Sequence, residues 1–161
     1  MRGSAASTCT QQQNGPTWRI VSGPSTPVPV PDETSQPFWD AAARHVLTIQ
    51  RCASCGWYNY PPKIVCISCR ADPPELEWAA VSGKGRVKTW TIMRDAFLPG
   101  FAQEVPYVVA DIELVEQPGL RIVARLADVA EDELALGLPV EVGFDDVAGG
   151  ISIPRFTPVQ P

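Results

Sequence analysis

The chain has 161 residues and a 45% apolar fraction, which suffices for one ordinary domain with a core, or a small domain with an appendage. No apolar run approaches the 18 residues of a membrane span, and no basic segment followed by an apolar one marks a secretory signal, so a cytoplasmic protein is expected. The net charge of −5 is uneven: residues 48–94 carry seven basic side chains against three acidic, whereas residues 95–161 carry three against twelve, a −9 half that would repel a polyanion.

Seventeen prolines and twelve glycines fall between short apolar runs, which favours short strands joined by turns over long helices. Residues 1–34 read as a tail that ends in a proline-rich linker, SGPSTPVPVP at 22–31, with extended, polyproline-like stiffness. A linker so near the start suggests a preceding domain. Cys9 lies in this tail and reads as an incidental thiol rather than a fifth ligand. DETSQPFWDAAARH (32–45) reads as one short helix, assigned with its flank to residues 35–47. Ser35 or Thr34 would cap it, and Pro37 is tolerated only in its first turn. His45, the only histidine, stands at the helix end, where a structural or solvated role is expected.

A strand at 46–50 leads into QRCASCGWYNYPPKIVCISC, residues 50–69, the core of a segment assigned to 48–74. Two Cys-x-x-Cys pairs ten residues apart suit a tetrahedral site. Each pair forms a knuckle whose two sulfurs face one ion, and the spacer lets the second knuckle close the tetrahedron. Gly56 follows the first pair, where a knuckle often needs a left-handed residue. A reducing compartment argues against disulfides, and a thioredoxin-type motif would carry one pair, not two. Cys52, Cys55, Cys66 and Cys69 are therefore expected to hold a structural zinc, closed to substrate because all four ligands are protein sulfur. Iron in a rubredoxin-like site uses the same ligands. Between the pairs, Trp57, Tyr58, Tyr60, Pro61, Pro62 and Lys63 form a rigid amphipathic platform that either packs the segment onto its neighbour or serves as a contact surface.

From residue 75 to 159 the pattern is strands. LEWAAVSGKGRVKTWTIMR (76–94) reads as one long, strongly curved strand bent at Gly83 and Gly85. DAFLPGFAQEVP (95–106) is a loop in which Phe97, Leu98 and Phe101 would mark an interface if exposed, or cap the fold if turned in. YVVADIEL (107–114) puts Val108, Ala110, Ile112 and Leu114 on one face. LRIVARL (120–126) follows a Pro-Gly turn, VAEDELALG (129–137) reads as a short helix, and PVEVGFD (139–145) and ISIPRF (151–156) as two strands. Five strands with one helix between the third and fourth is the layout of an OB barrel, so the expected class is mainly β: an N-terminal helix, a rubredoxin-like zinc ribbon and a five-stranded OB fold.

No nucleophile elbow, P-loop or dinucleotide fingerprint is present in the sequence. The acids at 111, 113 and 116 read as the outward face of a strand. One reading of ribbon plus barrel is single-strand nucleic-acid binding, with Trp90, Arg86 and Lys88 as platform, against which the acidic half argues. Electron transfer through a four-sulfur iron site is another.

QPFWDAA, RCASCG, YPPKIVCISC, SGKGRVKTWT, PYVVADIEL and LPVEVGF, in that order over residues 35–157, resemble the zinc-ribbon/OB-fold family associated with acyl-CoA enzymes, formerly a domain of unknown function. The sequence is similar to the members that form the C-terminal domain of steroid side-chain enoyl-CoA hydratase subunits and partner a thiolase-like aldolase. The resemblance implies a non-catalytic accessory subunit that docks on a thiolase-like aldolase or thiolase and helps bind or channel acyl-CoA. It places a hotdog-fold hydratase domain upstream of the linker. No membrane partner is expected, since no apolar run is long enough to span, and the acidic half makes nucleic acid an unfavoured partner. Cys52, Cys55, Cys66 and Cys69 match the family's ribbon ligands, and Pro61, Pro62 and Lys63 its Pro-Pro-basic segment, with Lys63 where the family usually has arginine. Lysine keeps the charge but loses the planar fork for a phosphate. Lys63, Arg86 and Tyr60 are then candidates to bind acyl-CoA, and Trp57, Tyr58, Pro61, Pro62, Phe97, Leu98 and Phe101 to face the partner.

Overall fold

The structure, a computed structural model, describes residues 26–98 and 100–159. Residues 1–25, which include Cys9 and the first four residues of the proline-rich linker, and Pro99 lie outside those residues. The chain builds a short helix, α1 (Gln36–Ala42), then a small sheet, then a closed barrel.

Helix α1 is shorter than the 32–45 segment expected. Ser35 is its N-cap residue, yet its hydroxyl caps nothing: it donates to Asp32 Oδ1 (2.6 Å), and that carboxylate also accepts the Ser35 N–H (2.8 Å). These bonds lower the Asp32 pKa, with the Ser35 side chain the largest cause. Pro37 occupies the first turn, as its missing N–H requires. The helix buries Phe38, Ala41 and Ala42 and ends at Ala42; the turn after it runs to His45, whose φ of 59° is left-handed.

The ribbon sheet has the order β2-β1-β3, from β1 (Thr48–Cys52), β2 (Tyr58–Asn59) and β3 (Leu76–Ala80), with β1 antiparallel to both neighbours. The run 76–94 is thus not one curved strand. Its first part pairs with β1, Thr48 opposite Ala80, and its second part, β4 (Lys84–Met93), opens the barrel. The joint is Ser82-Gly83. Gly83 has φ +74°, and a Cβ there would overlap the Val142 side chain.

β4, β5 (Tyr107–Leu114), β6 (Arg121–Leu126), β7 (Pro139–Asp146) and β8 (Ser152–Pro158) close in the order β4-β5-β6-β8-β7, with β7 returning to β4 and β6 parallel to β8. This is the expected OB barrel. Strand β5 alternates without a fault: Val108, Ala110, Ile112 and Leu114 face in. They pack with Val87, Leu126, Val140 and Phe156 in a core that also takes Ile49 of β1 and Phe38 of α1. The segment 129–137 does not form the expected helix. It holds a single 3-10 turn, Glu131–Glu133, because Gly137 and Leu138 bond to the Val87 backbone and continue into β7.

Candidate metal centre and exposed ribbon tip

The two knuckles have matching backbones. After Cys55, the Gly56 N–H donates to the Cys52 carbonyl (2.8 Å). After Cys69, the Arg70 N–H donates to the Cys66 carbonyl (3.1 Å). Both residues are left-handed, Gly56 at φ 75° and Arg70 at φ 52°, so the second knuckle spends on arginine a conformation that glycine adopts freely.

The four sulfurs lie within 4.8 Å of one another, with Cys52–Cys69 and Cys55–Cys66 each at 3.6 Å. A tetrahedron with metal–sulfur bonds of about 2.3 Å has edges of about 3.8 Å, so the donor set fits a thiolate-bound zinc. Cys52 and Cys66 are buried, Cys55 and Cys69 exposed. Backbone N–H groups of Cys69 and then Ser68, acting against burial, bring the Cys66 thiol down to about 6. At Cys52 burial opposes ionisation, but the Cys55 N–H and neighbouring thiols prevail and lower it. At Cys69 the Ala71 N–H lowers the pKa. The sulfurs of Cys55, Cys52 and Cys66, with burial, overcome it and push that thiol up to about 12. Four thiolates so close cannot all ionise unaided, and a divalent cation at their centre relieves the repulsion.

Polar side chains that no spacing rule exposes hold the loop between the knuckles. Buried Gln50 clamps the Lys63 backbone twice, accepting its N–H (2.8 Å) and donating to its carbonyl (3.0 Å). Gln117, in the β5–β6 turn, clamps Tyr58 in the same manner (2.9 and 3.2 Å), and Glu116 beside it accepts the Ser82 N–H (2.6 Å). The barrel thereby grips the ribbon at Tyr58 and the joint at Ser82. Asn59, fully buried, accepts the Ile67 N–H inside the second knuckle (3.2 Å), while its Nδ2 has no partner. Asn59→Ala is expected to lower zinc affinity by about 10- to 100-fold, the usual cost of losing a group that orients a ligand loop. Competition with a chromophoric chelator checks it, and an unchanged affinity would leave Asn59 a packing residue only.

The remaining candidates are dispersed. Tyr60 is half-buried against Phe38 (6.2 Å between rings), and burial raises its pKa. Lys63 is exposed on the ribbon. Arg86 lies along a barrel groove of about 450 Å³ with Lys88 and Glu113, its guanidinium donating to the Gly137 carbonyl (3.1 Å). No described cavity contains both Lys63 and Arg86. The nucleic-acid platform is largely engaged internally: Lys88 is paired with Glu113 and Trp90 packs against the core. Trp57 and Pro61 are exposed, whereas Tyr58 and Pro62 are half-buried. Phe97 is 81% exposed and Leu98 57%, while Phe101 turns in toward Tyr107 (5.8 Å).

The sequence reading missed Ile64, Val65 and Ile67, which stand out at 80%, 44% and 55% exposure. The available signal was the string IVCI in a ribbon too small to bury it. His45, Asp146 and Ser152 also meet: Asp146 Oδ1 takes both the imidazole (2.9 Å) and the Ser152 hydroxyl (2.6 Å). The carboxylate sits in the middle and Ser152 is buried, so the histidine has no path to the serine proton that a nucleophilic triad requires. With its ring stacked on Phe144 at 5.4 Å, His45 fastens the helix end to the barrel.

Family comparison supplies what geometry leaves open. Residues 39–77 match the model of the ChsH2 rubredoxin-like zinc ribbon domain, and residues 78–145 that of the ChsH2 C-terminal OB-fold domain. A DUF35 domain-containing scaffold protein of Methanothermobacter thermautotrophicus is 33% identical over 115 residues, 71% of this chain and 84% of that one. The chain belongs to the DUF35 family. Within that family, a chain of the solved Ltp2-ChsH2(DUF35) aldolase is 30% identical, with a TM-score of 0.72 over 81% of this chain and 98% of that one. A probable enoyl-CoA hydratase alpha subunit of Thermomonospora curvata is 35% identical over 127 residues, 77% of this DUF35 chain but only 37% of that relative's length.

Proposed function

We propose that this DUF35 chain is a non-catalytic accessory module that docks on a thiolase-like aldolase or thiolase and helps present acyl-CoA to it, in the degradation of a steroid side chain. The observation that carries the reading is the match to nearly the whole of a chain from an aldolase complex. Relatives named scaffold proteins support the non-catalytic role, and the hydratase-subunit relative supports an upstream hydratase domain. The closed four-sulfur set supports a metal that holds structure and does no chemistry. No helix among the described residues is long and apolar enough to cross a membrane.

The test is co-expression with the host's own thiolase-like subunit, followed by purification and assay of acyl-CoA cleavage with and without this chain. Equal stoichiometry and a cleavage rate that depends on this chain support the role. A partner fully active alone, or one that never co-purifies, removes it. Lys63, held by Gln50 with its ammonium in solvent, is the cation proposed for the CoA phosphates. Lys63→Glu is expected to raise the complex's apparent KM for acyl-CoA about tenfold, or about 1.4 kcal/mol, at unchanged zinc content. An unchanged KM removes the phosphate role.

A further inference from the structure

The ribbon tip is an apolar surface with its own charge signature. Ile64, Val65 and Ile67 project from the second knuckle, with Trp57 37% exposed on the strand side. Residues 53–71 contain no acid, and their only charges are Lys63 and Arg70. Neither makes an ion pair among the described residues; on the barrel Lys84 and Arg86 make none either, whereas Lys88, Arg94, Arg121, Arg125 and Arg155 are each paired with a carboxylate. Apolar side chains exposed together and flanked by polar groups mark an interaction site.

On the proposed role as a docked module, we infer that this tip is the surface that enters the catalytic subunit, where it meets an apolar face rimmed by carboxylates. Two features of the tip select that occupant. Arg70 calls for a negative partner at the rim of a contact whose centre is apolar, while Lys63 is left to the CoA phosphates. The tip is fixed in advance by the knuckle, the Gln50 clamp and the Asn59–Ile67 bond, so docking orders little chain. An anionic bilayer would also attract lysine and arginine, but it would repel a chain of net charge −5 whose residues 95–161 carry −9. A second copy of the chain could offer its acidic barrel to the tip, and the concentration dependence of the assembly state separates that occupant from the catalytic subunit. The loop bearing Phe97 and Leu98 lacks the cation pair: Arg94 beside it is bound to Glu131.

The test uses the full chain and the host's thiolase-like subunit, with affinity measured by surface plasmon resonance. Ile64→Asp and Arg70→Glu are each expected to weaken binding at least tenfold, and Phe97→Asp less than threefold, all with zinc content and circular dichroism unchanged. A photo-crosslinking residue at position 64 should attach to the subunit. Wild-type affinity in both tip variants, with binding lost in Phe97→Asp, overturns the assignment of the tip and leaves the accessory role standing. Failure of the wild-type chain to bind the subunit overturns both. Binding to vesicles of 30% phosphatidylserine that Ile64→Asp abolishes, or concentration-dependent self-association that it abolishes, also overturns the inference.

Discussion

Replacing Cys66 with serine is expected to empty the metal site and unfold the ribbon while the barrel keeps its strands. Cys66 is fully buried and faces Cys55 at 3.6 Å, so a serine there leaves three thiolates and a poor fourth donor. Besides the metal, a few polar clamps from Gln50, Asn59 and Gln117 hold this part of the chain, and no apolar core does. Strand β2 has two residues, and the apolar side chains of the second knuckle face water rather than a core. Structural zinc supplies about 10–16 kcal/mol to such a unit, more than the whole net stability of many domains. The damage will spread through β1, because Ile49 reaches from the ribbon sheet into the main core. Mass spectrometry of the intact chain should show about one zinc in the wild type and none in the variant. Amide exchange should show lost protection in β1 to β3 and retained protection in β5. Cys9→Ser should keep its metal. A Cys66→Ser protein with full metal content would exclude Cys66 as a ligand, and a red wild-type protein would assign iron to the site.

Legibility in the sequence followed the range of the interaction. The knuckles could be read because their ligands are three residues apart and chelation fixes the backbone between them. Strand β5 could be read because period-two burial on a closed barrel leaves a period-two apolar pattern, seen from Val108 to Leu114. The clamps could not be read. Gln117 and Tyr58 are separated by 59 residues, and nothing local marks a glutamine as the acceptor of a remote backbone N–H. The stretch 129–137 misled for a related reason: Glu131, Glu133, Leu134 and Ala135 are good helix formers, but backbone bonds of Gly137 and Leu138 with Val87 capture the segment for the barrel. The exposed tip was hidden by the convention that isoleucine and valine belong inside. A metal-held ribbon has no inside large enough for them.

The longest misreading, the run 76–94, points to the residue on which the geometry of the molecule turns. A continuous β pattern with two glycines describes one bent strand as well as two strands in different sheets, and only the partners decide: β1 for Leu76–Ala80, β5 and β7 for Lys84–Met93. Gly83 makes the change of sheet. Its φ of +74° is left-handed, its carbonyl accepts the Val142 N–H (2.9 Å), and a Cβ there would lie 3.1 Å from Val142 Cβ and overlap the Cγ1 methyl. Gly83→Ala therefore carries two costs, about 1–2 kcal/mol for the left-handed backbone and about 1–3 kcal/mol for overpacking against β7. We expect a loss of about 2–5 kcal/mol in urea unfolding. Gly119→Ala separates the two costs, since Gly119 is equally left-handed at φ +78° with nothing within 4 Å of a new Cβ. It should lose only the backbone part. Equal losses in the two variants would mean that Val142 yields at no cost. A larger loss at Gly83 would show that contact with β7, and not backbone preference alone, requires glycine at the joint between ribbon and barrel.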